Sequence, residues 1–120
     1  MQDTDPIAPP SSASEWIRLA ETPGVGPVGA ARLLHEFASP ARIFGAGADA
    51  LAAAGVSRAA ARALCQPLPD PAARRLDAAL AWLERPGHHL LTLAGPGYPA
   101  LLAAIHAPPT LLYAAGFPEL

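Results

Sequence analysis

Thr22-Pro23-Gly24-Val25-Gly26-Pro27-Val28-Gly29-Ala30-Ala31-Arg32-Leu33-Leu34 is the stretch whose reading decides the fold. Pro23 lacks a backbone donor and biases Thr22 away from helical geometry, and Gly24 permits a tight reversal, so a helix entering this segment stops at about Glu21. A second helix starts almost at once. Pro27 stands in the first helical position, where a missing N–H costs nothing, and the spacing predicts a helix over Pro27 to Phe37 with Ala30, Leu33, Leu34 and Phe37 on its inner face. A glycine turn of this kind bares the amino end of the second helix, whose N–H groups and dipole can hold a phosphate oxygen.

The same spacing recurs 31 residues later, where Gly55-Val56-Ser57, Ala61 and Leu64 repeat Gly24-Val25-Gly26, Ala30 and Leu33 in register. The recurrence predicts two paired hairpins inside one small helical domain. Both copies match the helix-hairpin-helix pattern, in which glycines take up positive φ so that backbone can approach phosphate, and a small alanine lets the helices pack tightly. The candidate DNA-contacting residues are therefore Gly24, Val25 and Gly26, with Arg32 a turn further in and Arg58 beside the second turn. Pro27, Val28 and Gly29 stand where a strong DNA binder would carry basic residues, and Ser57 replaces the second glycine, so the expected phosphate affinity is weak. The competing reading is that each turn only joins two helices.

Working outward, Ser12 and Glu15 form a capping box for a first helix that places Trp16, Leu19 and Ala20 on one face. Residues 1–13 are acidic, then rich in Pro and Ser, and read as a flexible tail. Ser39-Pro40 opens a short helix through Phe44, ended by Gly45 and Gly47, and another short helix covers Asp49 to Ala54. Ser57 is the natural cap of a helix from Arg58 to Cys65. Asp70 and Pro71 begin a longer helix with a Leu76, Leu80 and Leu83 stripe flanked by Trp82, closed by Pro86-Gly87. Residues 14–86 thus make up the helical domain.

Beyond Gly87 the pattern changes. His89 to Leu93 reads as a buried strand, Gly95-Pro96-Gly97 as a turn, Tyr98 to Ile105 as a short helix, and Leu111 to Tyr113 as a second strand ended by Gly116. A strand, a helical crossover and another strand is how an α/β sheet begins. Parallel sheets contain several strands covered on both faces, so the remainder of such a sheet is expected outside residues 87–120 or in another chain.

Composition narrows the function. The 120 residues carry eight Arg and no Lys against ten acids, a formal charge of −2, so no general field draws nucleic acid and phosphate binding must be local. The apolar fraction of 52% is inflated by alanine, with three Phe, two Trp and two Tyr, which predicts a thin helical core. The one cysteine, Cys65, cannot form an internal disulfide and reads as a small buried hydrophobe in a reducing compartment. No apolar run suits a membrane and no paired Cys/His spacing suggests a metal.

Other residues read more simply as structure. His88 and His89 point to opposite strand faces and suit no shared metal. Arg74 and Arg75 sit near Asp70 and Asp77 on a helix, as a solvated face. Trp16 and Trp82 read as core anchors. No nucleophile, carboxylate pair or phosphate loop is apparent, so neither catalysis nor a cofactor is expected.

Three stretches together resemble the DprA (Smf) family of DNA-processing proteins: Trp16 to Phe44 with its TPGVGPVGAARLL, Tyr98-Pro99-Ala100-Leu101-Leu102, and Ala107-Pro108-Pro109-Thr110-Leu111-Leu112-Tyr113 with Gly116. The resemblance implies a mainly α chain: a small SAM-like helical domain followed by the first strand-helix-strand of a Rossmann-like domain, truncated before its glycine-rich DNA-binding segment. It also implies a cytoplasmic protein that binds single-stranded DNA and assists loading of the RecA recombinase during natural transformation. This chain would then be a regulatory or interaction module. Independently of the resemblance, the unpaired edges that Leu90 to Leu93 and Leu111 to Tyr113 would leave invite self-association as a homodimer or a domain swap. An independent helix-hairpin-helix module gripping DNA backbone without sequence readout is the alternative.

Overall fold

A computed structural model of the protein describes residues 12–93, 95 and 97–116. Most of the tail expected over residues 1–13 lies outside them, but Ser12 caps the first helix and Ala13 begins it.

Seven helices and two strands follow one another among the described residues. Helix α1 spans Ala13–Glu21, and its capping box is complete: the Ser12 hydroxyl accepts from the Glu15 N–H and the Glu15 carboxylate accepts from the Ser12 N–H at 2.8 Å. Helix α2 spans Gly26–Phe37, α3 Pro40–Phe44, α4 Ala48–Ala53, α5 Arg58–Leu64 and α6 Asp70–Leu83. Serines mark two of these starts. Ser39 Oγ accepts from the Arg42 N–H and Ser57 Oγ from the Ala60 N–H, each satisfying a donor that a helix start leaves open.

Leu19, Val25, Ala30, Leu33, Ile43, Leu51, Ala60, Ala61 and Leu64 form the buried cluster that holds α1 to α5 together. Leu34 and Phe37 pack against it as the inner face of α2 requires. The face expected for α1 is only partly used: Leu19 is buried, Ala20 is exposed, and Ile17, outside the expected stripe, is fully buried. Helix α1 is held from two sides, because it packs on α2 and α3 and also on α6. Helix α6 keeps Leu76, Leu80 and Leu83 half-buried and buries only Ala72 completely.

Cys65 corrects the sequence reading. Helix α5 ends at Leu64 after placing Ala60, Ala61 and Leu64 in the core, and Cys65, just past its end, is exposed.

The strand region differs most. Strand β1, His88–Thr92, pairs with β2, Leu111–Ala115, antiparallel and not parallel, with His88 opposite Ala115 and Thr92 opposite Leu111. The intervening helix α7 spans only Ala100–Ala103, shorter than the Tyr98 to Ile105 expected. The Tyr98 hydroxyl donates to the Pro109 carbonyl at 2.6 Å and the Leu93 N–H to the Thr110 carbonyl at 2.9 Å. These bonds start β2 beside the end of β1, and antiparallel pairing follows. Such a pair can leave one face to solvent, whereas a parallel pair would need cover on both.

The strand pair packs back onto the helices through Trp82. His88 stacks on its ring at 3.9 Å between centroids, and Tyr113 meets it edge-on at 5.7 Å. Burial holds the Tyr113 hydroxyl above its usual pKa, and the Glu21 carboxylate adds to that. Both histidines are satisfied: His88 Nδ1 meets the Trp82 carbonyl at 2.7 Å and His89 Nε2 the Gly116 carbonyl at 2.8 Å. No group of metal-ligating side chains occurs among the described residues, nor any helix long and apolar enough to cross a membrane.

Candidate nucleic-acid interface

The two turns singled out by the sequence meet in space. Gly24 in the first turn lies over the start of α5: a side-chain carbon built on it would sit 3.6 Å from the Ala60 Cβ. The reverse contact is made by Gly29, whose built carbon would lie 3.3 Å from Val56 of the second turn. Each hairpin therefore packs its turn against the other's second helix. At Gly29 an added carbon would press on Val56, whereas at Gly24 it would make an ordinary contact and the left-handed backbone is what favours glycine.

The repeat extends to the core. Ala30 and Ala61 are each 1% exposed and Leu33 and Leu64 are each fully buried, all in the same cluster. Arg32 ties the copies together, since its Nη1 donates to the Gly55 carbonyl at 3.3 Å.

The two amino ends differ chemically. In the first turn Gly24 and Gly26 have φ of +85° and +67°, and α2 begins without a side-chain cap. Val25 is buried and its N–H donates to the Thr22 carbonyl at 3.4 Å. Neither the Gly26 nor the Val28 N–H meets an acceptor among the described residues, and Gly24, Gly26 and Pro27 are exposed. This end of the helix can accept an anion. In the second turn Gly55 alone has positive φ, at +115°, and Ser57 is extended with its hydroxyl on the Ala60 N–H at 3.0 Å. That hydroxyl occupies the place a phosphate oxygen would take. Ser57→Ala is expected to destabilise the protein by about 1 kcal/mol in denaturant unfolding, the usual value of a lost amino-terminal cap.

Of the five residues predicted to contact DNA, Gly24, Val25 and Gly26 form the first turn, with Val25 turned into the core. The two arginines are engaged elsewhere. Arg32 reaches to Gly55, and Arg58 Nη1 lies 3.4 Å from Asp49 in a pair that is almost wholly in water. An ion pair so exposed contributes little to stability, but it does neutralise the charge beside the second turn.

Sequence reasoning missed two uses of arginine. Arg18 donates to the Leu64 and Gln66 carbonyls and sits 4.2 Å over the Phe44 ring, closing α5 onto α1 and α3. Arg75 pairs with Glu21 at 2.6 Å, not with the acids of its own helix. Residues this far apart in sequence give no periodic signal. No protein-family model matches the chain, and no curated protein or solved structure does either.

Proposed function

We propose that the chain is the amino-terminal regulatory or interaction module of a DNA-processing protein of the DprA (Smf) family, its helices a SAM-like domain of two helix-hairpin-helix units and its strands the start of a Rossmann-like domain. It acts without catalysis or cofactor, in the cytoplasm, and contacts single-stranded DNA and RecA through the full-length protein. The observation that carries this reading is the engagement of both hairpin arginines within the chain, Arg32 on the Gly55 carbonyl and Arg58 on Asp49. A surface that grips phosphate along DNA needs several free cations, because counterion release provides most of the affinity.

The second reading, a hairpin module that holds DNA backbone by itself, is favoured by one feature: the uncapped, exposed start of α2 with its open Gly26 and Val28 donors. Fluorescence anisotropy with labelled single- and double-stranded oligonucleotides separates the two. The chain is compared at low and physiological salt with a longer form carrying the α/β domain that the resemblance implies. Binding of single strands by the longer form alone is the expected result, with the short chain weaker than about 10⁻⁴ M at physiological salt. Tight, salt-dependent binding by the short chain would replace the first reading with the second. No binding by either form would overturn both.

A further inference from the structure

Helix α6 has a second face besides its leucine stripe. Arg75, Ala78, Ala79 and Trp82 stand at i, i+3, i+4 and i+7, so they line up along one side of the helix over about 10 Å. With Glu21 at the end of α1 and Tyr113 of β2 they line an open groove of about 470 Å³. Five of these six residues belong to helices, so the floor and one end of the groove do not depend on what pairs with β2.

The groove is charged at one end and aromatic at the other. At the charged end Arg75 uses only its Nε, which donates to Oε1 of Glu21 at 2.6 Å. Both Nη groups of Arg75 and Oε2 of Glu21 meet no partner among the described residues. At the other end His88 covers one face of Trp82, and the Tyr113 ring stands at 85° to the indole, so the two rings form a corner. The two alanines between the ends keep the floor low and apolar.

This pairing of chemistries selects the ligand. The ion pair is neutral as a whole, so a ligand with a single charge meets an uncompensated like charge there. A ligand with both charges close together avoids this. Its carboxylate takes the two Nη groups of Arg75 side by side, and its ammonium donates to Oε2 of Glu21. An aromatic or long aliphatic group on the same molecule then reaches the corner of Trp82 and Tyr113 and displaces water from apolar surface.

We propose that this groove binds a free α-amino acid with an aromatic or large aliphatic side chain, its carboxylate on Arg75, its ammonium on Glu21 and its side chain between Trp82 and Tyr113. A residue inside a peptide chain lacks both charges and is not the ligand. The proposal is independent of the DNA-processing reading, and its test involves no nucleic acid.

The test is a titration of the full chain with L-phenylalanine, followed by nuclear magnetic resonance at the indole N–H of Trp82, with the indole of Trp16, outside the groove, as internal reference. N-acetylphenylalanine lacks the ammonium, and phenylalaninamide lacks the carboxylate. We expect a saturating Trp82 shift with L-phenylalanine, a Trp16 signal that stays in place, and binding at least about tenfold weaker for either derivative, since each loses a hydrogen bond to a charged group. In Arg75→Gln the advantage of L-phenylalanine over the amide should vanish, and in Glu21→Gln its advantage over the acetyl derivative. Should a variant unfold, the ligand series on the wild-type chain decides alone. The proposal fails if Trp82 shows no saturating shift, if the three ligands bind alike, or if a folded variant keeps the wild-type preference. It fails equally if binding seen with this chain is absent from the longer form carrying the α/β domain, because the further strands would then cover the groove.

Discussion

Leu33→Ala is expected to lower the unfolding free energy by about 2–5 kcal/mol, the range for truncating a buried leucine and leaving a cavity. Leu33 is fully buried at the centre of the cluster that joins α1 to α5. A domain of this size has about 5–15 kcal/mol in total, so the variant loses a large part of its stability. Leu64 is its counterpart in the second hairpin and equally buried, and Leu64→Ala should cost a similar amount. Because both belong to one cluster, the double variant should depart from the sum of the singles by more than about 0.5 kcal/mol. Urea unfolding of the three variants checks this. Strict additivity would mean that the hairpins have separate cores.

Gly24→Val should cost about 1–3 kcal/mol, more than Gly26→Val, since a left-handed backbone is strained for any L side chain and most for a β-branched one. Both glycines have positive φ, but only Gly24 has a neighbour, with Ala60 at 3.6 Å from the first added carbon and the branches of valine reaching closer. Around Gly26 nothing lies within 4 Å. The difference between the two variants in thermal unfolding measures the contact between the hairpins apart from the backbone strain. Equal losses would show that the first turn does not bear on α5. Gly26→Val is also the variant to carry into the anisotropy measurement, because it alters the open end of α2 with the least effect on the core.

Much of the helical part was legible in the sequence, because its signals are local. Ser12 with Glu15, Ser39 with Pro40, and Ser57 each act within one turn of the chain, and the structure starts α1, α3 and α5 at these residues. The repeat of Gly24 to Leu33 in Gly55 to Leu64 was legible too, as a periodicity of the chain. The mutual packing of the two copies, through Gly24 on Ala60 and Gly29 on Val56, was not. The difference between the two turns was legible in part, since Ser57 marks the cap of α5 and the structure shows its hydroxyl on the Ala60 N–H.

The sequence by itself determined where α1, α3 and α5 begin, that leucines and alanines of α2 face inward, and that residues beyond Gly87 turn to strand, but not the extent of α7. Local dihedral preference and capping act over a few residues and need no partner. Only the tertiary structure decided that Ile17 is buried, on a helix that packs on α6, more than fifty residues away in the chain, as well as on α2 and α3. It also decided that Cys65 is exposed, that Arg32 and Arg58 are occupied, and that β1 and β2 run antiparallel. Strand direction depends on where the connecting chain is anchored, here by Tyr98 on Pro109 and Leu93 on Thr110, and an apolar run reads the same in either direction.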